Sequence, residues 1–155
     1  MGIIIGVKQL ADYTIAEIKE LKPILVSRMT KAEEFDKARR LAYKGDFSLV
    51  EKLYHSDCKH FDHRVGLEVN LDMQSALMTA YENTTFGPFR VIYENEEFLC
   101  IQRYLRNEST KGNFVWSLVS GINYIDGKII RHETSAEELD YDPSEGQDWN
   151  WEDYE

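Results

Sequence analysis

The sequence predicts an α+β fold in which N-terminal helices wrap one curved antiparallel sheet, and three observations carry that prediction. Apolar residues recur at helical spacing as far as Tyr81, and from Phe86 onward the period becomes that of strands. Asp126-Gly127 then stands between two long strand-like runs as a two-residue hairpin turn. Helices first and a meander of strands afterwards is an α+β order.

The elements follow in turn. Thr14-Ile15-Ala16-Glu17 matches a capping box, with Ile15, Ile18 and Leu21 on one helical face. Pro23 lacks a backbone donor and should end or kink that helix. A second helix is expected over residues 33–44, where Phe35, Ala38, Leu41 and Ala42 share a face and Gly45 supplies the stop. Asp46 caps a short third helix carrying Phe47, Val50, Leu53 and Tyr54. A fourth follows Asn70, with Met73, Ala76, Leu77, Ala80 and Tyr81 turned inward. Residues 58–63 form a short strand at the sheet edge, and long strands are expected over 89–94, 97–106, 113–125 and 128–135. Asn95-Glu96 makes the tight turn between the first two long strands.

At 155 residues and 43% hydrophobic composition, the chain can bury the core of one ordinary domain. A formal net charge of −10 repels phosphate backbones and anionic lipid surfaces, which argues against nucleic acid and membranes as partners. No apolar run approaches the roughly 20 residues that span a bilayer, and residues 1–8 lack a basic leader, so a cytoplasmic protein is expected. Cys58 and Cys100 make no disulfide framework and fit small buried hydrophobes. The stretch 140–155 holds seven acidic residues together with Tyr141, Trp149, Trp151 and Tyr154. Its aromatics would anchor it to the body or to a second subunit; a lid over a pocket is the alternative.

In order and spacing, the helix-Gly45-Asp46-helix unit, the run from Leu53-Tyr54 to Asp62, Val65-Gly66, the next helix and the hairpin strands form a pattern. It resembles the nuclear transport factor 2-like superfamily, in its ketosteroid isomerase and SnoaL-like polyketide cyclase branch. The likeness covers about residues 33–138, between an N-terminal extension (1–32) and the acidic aromatic tail (139–155). It implies a cone-shaped, cystatin-like α+β fold, a bent sheet closed by helices over a mostly apolar cavity, and homodimers through the outer sheet face. Counted from Tyr54, Asp62 falls where the isomerases place the aspartate that shuttles a proton beside a ketone. A carboxylate in an apolar cavity is desolvated, which raises its pKa toward the working pH. The positions matching the family's oxyanion tyrosine and oxyanion aspartic acid hold Ala38 and, nearby, Ser120, so the usual enolate stabilisation is missing.

The turns set a register. With Ile125 opposite Lys128, Ser120 faces Glu133; with Arg106 opposite Asn113, Arg103 faces Trp116. Alternation then gathers Leu99, Ile101, Arg103, Leu105, Phe114, Trp116, Leu118, Ser120 and Glu133 on the pocket face. Trp116 could stack on a flat ring or on Arg103, and Glu133 could pair with Asp62 as an acid/base couple or with Arg103 as a rim ion pair. The opposite face carries Val91, Phe98, Cys100, Tyr104, Ser117, Val119 and Asn123 and suits a dimer interface. His60 shares the side of Asp62 on a strand, as an orienting hydrogen-bond partner or an ordinary half-buried histidine, while His63 points the other way. Neighbours on a strand cannot converge on one ion, so no metal is expected. His132 falls on the outer face. With no phosphate-cradling glycine loop and no nucleophile elbow, no cofactor is expected either.

Two functions follow. One is an isomerase or cyclase acting on a small hydrophobic carbonyl compound, with Asp62 as general acid/base, His60 and Glu133 orienting, and Tyr54, Arg103, Trp116 and Ser120 lining the site. The other is a non-catalytic ligand-binding or dimerisation module of the same fold; a filled core without a cavity would leave only the homodimer.

Overall fold

A computed structural model of the chain describes residues 14, 16, 29–81 and 83–155. Residues 31–155 form one compact unit. The expected helix from Thr14 falls outside the described residues, apart from Thr14 and Ala16 themselves. Among the described residues no helix is long and apolar enough to cross a membrane.

Helix α1 (Lys31–Tyr43) buries Phe35, Ala38 and Ala42 along one face, as its spacing predicts, while Leu41 is only half-buried and Ala32, Asp36 and Arg39 are buried as well. It ends where Gly45 takes φ +93°, with Gly45 N–H bonded to Ala42 O and Asp46 N–H to Leu41 O, a double closure that favours glycine. Asp46 accepts from Ser48 N–H at 3.0 Å just ahead of α2 (Ser48–Leu53). Tyr54 then opens β1 (Tyr54–Asp62) rather than closing the helix. After β2 (Leu67–Val69), Asn70 caps α3 (Leu71–Ala80) by accepting from Met73 N–H at 2.9 Å.

The inward face of α3 is Gln74 and Met78; Met73, Leu77 and Tyr81, expected inside, are exposed. The helix is rotated because Gln74 Oε1 accepts from the buried Arg39 Nη1 at 3.1 Å, which turns a polar position toward the body. Leu77 and Tyr81 border a cavity instead of filling it.

Strands β3 (Thr84–Glu94), β4 (Phe98–Ser109), β5 (Gly112–Ile125) and β6 (Lys128–Leu139) form the expected meander, each longer than predicted. The six strands run β2-β1-β6-β5-β4-β3 in an open sheet. The sheet is mixed rather than wholly antiparallel, because β1 pairs with β6 in parallel. The Asp126-Gly127 hairpin forms with positive φ at both residues, and Ile125 faces Lys128. Gly87-Pro88 interrupts the edge strand β3 between Phe86 and Phe89, and Arg40 donates to the carbonyls of Phe86 and Gly87 there.

Two register differences matter. The β4–β5 hairpin closes with Ser109 opposite Gly112, so Arg103 faces Leu118 and Leu105 faces Trp116. That offset is two residues, and the predicted inner face survives because side chains alternate with period two. In β6, Asn123 faces Arg131 while Tyr124 faces Ile129, leaving Ile130 as an extra residue. Beyond this bulge Ser120 faces Thr134, not Glu133. A one-residue slip exchanges the faces of everything after it.

The acidic tail lies against the outer sheet face. Trp149 stacks on Tyr104 at 6.0 Å, Trp151 is buried and donates to Asp142 Oδ1 at 3.0 Å, and Arg106 sits over the Trp151 ring. Trp151 Cζ3 lies 3.3 Å from where a side chain at Gly87 would begin, so a hydrogen there lets the indole seat. No tail residue borders the cavity, and the tail covers part of the face proposed for dimerisation, though Val119 on that face remains exposed. Val91, expected on the same face, pairs with Ile101 ahead of a bulge in β3 and so lies on the inner side.

Candidate functional site

Helices α1 and α3 and the inner face of the sheet enclose a cavity of about 510 Å³. Its walls are apolar, from Tyr43, Val69, Met78, Leu105, Phe114 and Trp116. Val65, Leu77 and Tyr81 expose large apolar surface at its mouth, where Glu138 also stands. Four buried polar residues, Arg39, His60, Gln74 and Asp62, mark its polar end.

Asp62 is the last residue of β1, and the chain reverses directly after it. Val65 and Gly66 N–H groups bond to Asp62 O, with Gly66 at φ +65°, while Arg64 N–H donates to Asp62 Oδ1 at 2.9 Å. This is the local turn that aspartate side chains favour. It brings the Arg64 guanidinium back onto the carboxylate, with Nε at 3.0 and 3.1 Å and Nη2 at 2.6 Å. Burial pushes the carboxyl up, but the Arg64 hydrogen bonds and charge outweigh it and hold Asp62 below the usual carboxylate range. That is the reverse of the upward shift a desolvated aspartate would show.

His60 lies on the same side of β1, as alternation predicts. Its Nε2 lies 3.2 Å from Thr134 Oγ1, which also meets Ser120 Oγ at 3.0 Å and His132 Nε2 at 3.0 Å. His132 Nδ1 meets the Tyr54 hydroxyl at 3.1 Å, and the two imidazoles stack in parallel 4.0 Å apart. Burial first, then the charge of Arg39, lowers His60 to about 3. Burial, then His60 and the arginines, takes His132 well below its ordinary value. Both rings are therefore neutral near pH 7.

Of the residues predicted for the site, Asp62, His60 and Trp116 line the cavity. Tyr54 and Ser120 are buried behind it, as members of the Thr134–His132 network. Arg103 belongs to the core, with Nη1 3.3 Å from Asp36 Oδ1 and its guanidinium 4.0 Å above the Phe86 ring. Glu133 must be corrected: the Ile130 bulge turns it outward, where it pairs with Arg131 and lies 3.7 Å from His63 Nε2. His132, expected outside, is buried for the same reason. The reading of the residues missed Arg39, Arg64 and Gln74. Arg39 was detectable, since it follows Phe35 by four residues and precedes Ala42 by three on the face that α1 buries.

No family model matches the chain, and no curated protein sequence does. Solved structures do. A loop-truncated variant of IdmH superposes with a TM-score of 0.58 at 13% identity, over 68% of this chain and 91% of that one. Wild-type IdmH of Streptomyces antibioticus, whose assignment as a polyketide cyclase is provisional, gives 0.55 at 12%, over 68% and 91%. A hypothetical protein of Catenulispora acidiphila with a ketosteroid isomerase-like fold, bound to trimethylamine, gives 0.58 at 15%, over 79% and 99%. A nuclear transport factor 2-like protein of unknown function from Cytophaga hutchinsonii gives 0.56 at 14%, over 70% and 100%. The helices closed over an open six-stranded sheet are thus those of a small pocket fold. The chain has the nuclear transport factor 2-like fold.

The two depressed histidines set a pH dependence. Folded, both rings stay neutral; unfolded, each takes a proton below about pH 6.5. The unfolded state then binds more protons, so stability falls as the pH drops from about 6.5 toward the folded value of about 3 for His60. Urea unfolding between about pH 7 and 4 should show a slope approaching 1.4 kcal/mol per pH unit for each histidine. His132→Gln should remove about half of it; a flat profile in the wild-type protein would refute the neutral pair.

Proposed function

We propose that the protein takes a small, flat, largely apolar carbonyl compound into the cavity. The observation that carries this is the cavity itself: apolar walls, Trp116 among them, converge on one polar end made by Arg39, His60, Asp62 and Gln74. An apolar cleft with a few convergent polar groups is the usual form of a small-molecule site. IdmH, with the same fold, has the provisional assignment of a polyketide cyclase, which fits a ligand of this kind.

A second reading makes the protein an isomerase or cyclase in which Asp62 moves a proton at the carbon beside the carbonyl, with His60 orienting the substrate. It is favoured by both side chains lining the cavity. The Arg64 clamp opposes it by making Asp62 a weaker base, so binding without turnover is the leading reading. We also infer a homodimer through the uncovered part of the outer sheet face, which the exposed Val119 and Tyr93 support.

Calorimetric titration with 2-acetonaphthone should show binding that Leu77→Trp, at the mouth, weakens by at least about tenfold. Equal binding by both proteins would place the ligand elsewhere. Exchange of the ketone's methyl protons in deuterated buffer tests turnover: Asp62→Asn should slow it by about a hundredfold or more. Because Arg64 favours the ionised form of Asp62, any fall of that exchange rate with pH should come below the usual carboxylate range rather than above it. A rate no faster than buffer alone would leave a binding protein. Native mass spectrometry should show a dimer that Val119→Glu converts to monomer; a monomeric wild-type protein would overturn the outer-face interface.

A further inference from the structure

Arg39 is the feature that the cavity's chemistry leaves unexplained. It is 6% exposed, lines the cavity, and donates from Nη1 to Gln74 Oε1 at 3.1 Å. Its Nε has no acceptor. Among the described residues no carboxylate lies within ion-pair reach of it. Asp36, one turn earlier on the same helix, is already taken by Arg40 at 2.6 Å and Arg103 at 3.3 Å. Asp62 is taken by Arg64. The Tyr43 ring, 5.8 Å from the guanidinium, offsets only part of the cost of burying the charge. Gln74 Nε2 and His60 Nδ1 beside it are also buried without a partner. Unpaired buried groups of this kind are rare, and a guanidinium without a counter-ion among the residues that line a cavity marks a place where a ligand can complete the bonding.

We infer that the polar end of the cavity is a carboxylate site: the compound it takes carries an anionic carboxylate, held by Arg39 and Gln74, with its apolar body against Trp116 and Phe114. This rests on the cavity being a ligand site and goes further by specifying the ligand's charge. A guanidinium presents parallel donors that match the two carboxylate oxygens. The neighbouring charges do not oppose it. Arg64 neutralises Asp62, and the neutral His60 adds no charge. Glu138 is exposed at the mouth. The net charge of −10 is spread over the surface and screened beyond about 8 Å at physiological salt, whereas Arg39 acts at contact distance.

The test uses matched acids and amides, so that charge alone changes. Benzoate, 2-naphthoate and 4-biphenylcarboxylate would each be titrated calorimetrically against the full chain near neutral pH, beside their primary amides. At least one acid should bind about tenfold or more tighter than its amide. Arg39→Met should bring that pair to within about twofold, while Arg39→Lys keeps part of the difference. Equal affinities for acid and amide in the wild-type protein, or a preference that survives Arg39→Met, would overturn the carboxylate site. If Arg39→Met does not fold, Gln74→Leu serves instead and should cut the preference severalfold; an unchanged preference there counts against the proposal. If 2-acetonaphthone binds and no acid does, the carboxylate site falls and the ligand cavity stands. If none of these compounds binds, both fall.

Discussion

One extra residue in β6 governs the inner face of this protein. With Ile130 unpaired, the strand beyond it shifts by one place, so that His132 and Thr134 turn inward and Glu133 turns out to Arg131. Thr134 then sits where a single hydroxyl can meet His60, Ser120 and His132 together. Had the ladder continued in register, a glutamate would lie beside Asp62 and the inner face would hold two carboxylates. The bulge replaces that repulsion with a connected network of neutral groups. Such a network is cheap to bury only if its members are paired, and four of its five side chains have every buried polar atom bonded, His60 Nδ1 being the exception.

The charged groups of the interior are arranged in two pairings and one remainder. Asp36 bridges Arg40 and Arg103 at the centre of the core, where burial lowers Arg103 to about 10 despite the carboxylate. Asp62 and Arg64 close on each other across a tight turn at the cavity. Arg39 is left over, with Gln74 in place of a counter-ion. Its field reaches His60, His132, Tyr54 and Cys58, which helps keep both imidazoles neutral. The chemistry available at the polar end is therefore that of a cation with neutral hydrogen-bonding groups, beside an aspartate already engaged.

Much of the fold was legible because it depends on local signals. Gly45 stops α1 through its left-handed backbone, Asn70 caps α3, and Asp126-Gly127 folds the last hairpin, each by geometry that a few neighbouring residues determine. The inner face of β4 and β5 was also legible, since an error of two in the turn leaves alternation intact. The rotation of α3 was not. Its apolar stripe, Met73, Leu77 and Tyr81, implies a buried face, yet with Gln74 bonded to Arg39 the helix turns Leu77 and Tyr81 to the cavity mouth and leaves Met73 exposed.

By itself the sequence determined the order of elements, the hairpins, the period of each segment and the place of His60 and Asp62 on one side of β1, because these follow from backbone preferences and nearest neighbours. Only the tertiary structure decided which residues meet His60 and which buried charge is left without a counter-ion. A bulge inside a uniform strand carries no turn residue to announce it, and the pairing of buried arginines depends on which carboxylates are already taken by elements far away in the chain. Those are properties of packing, and a linear pattern does not contain them.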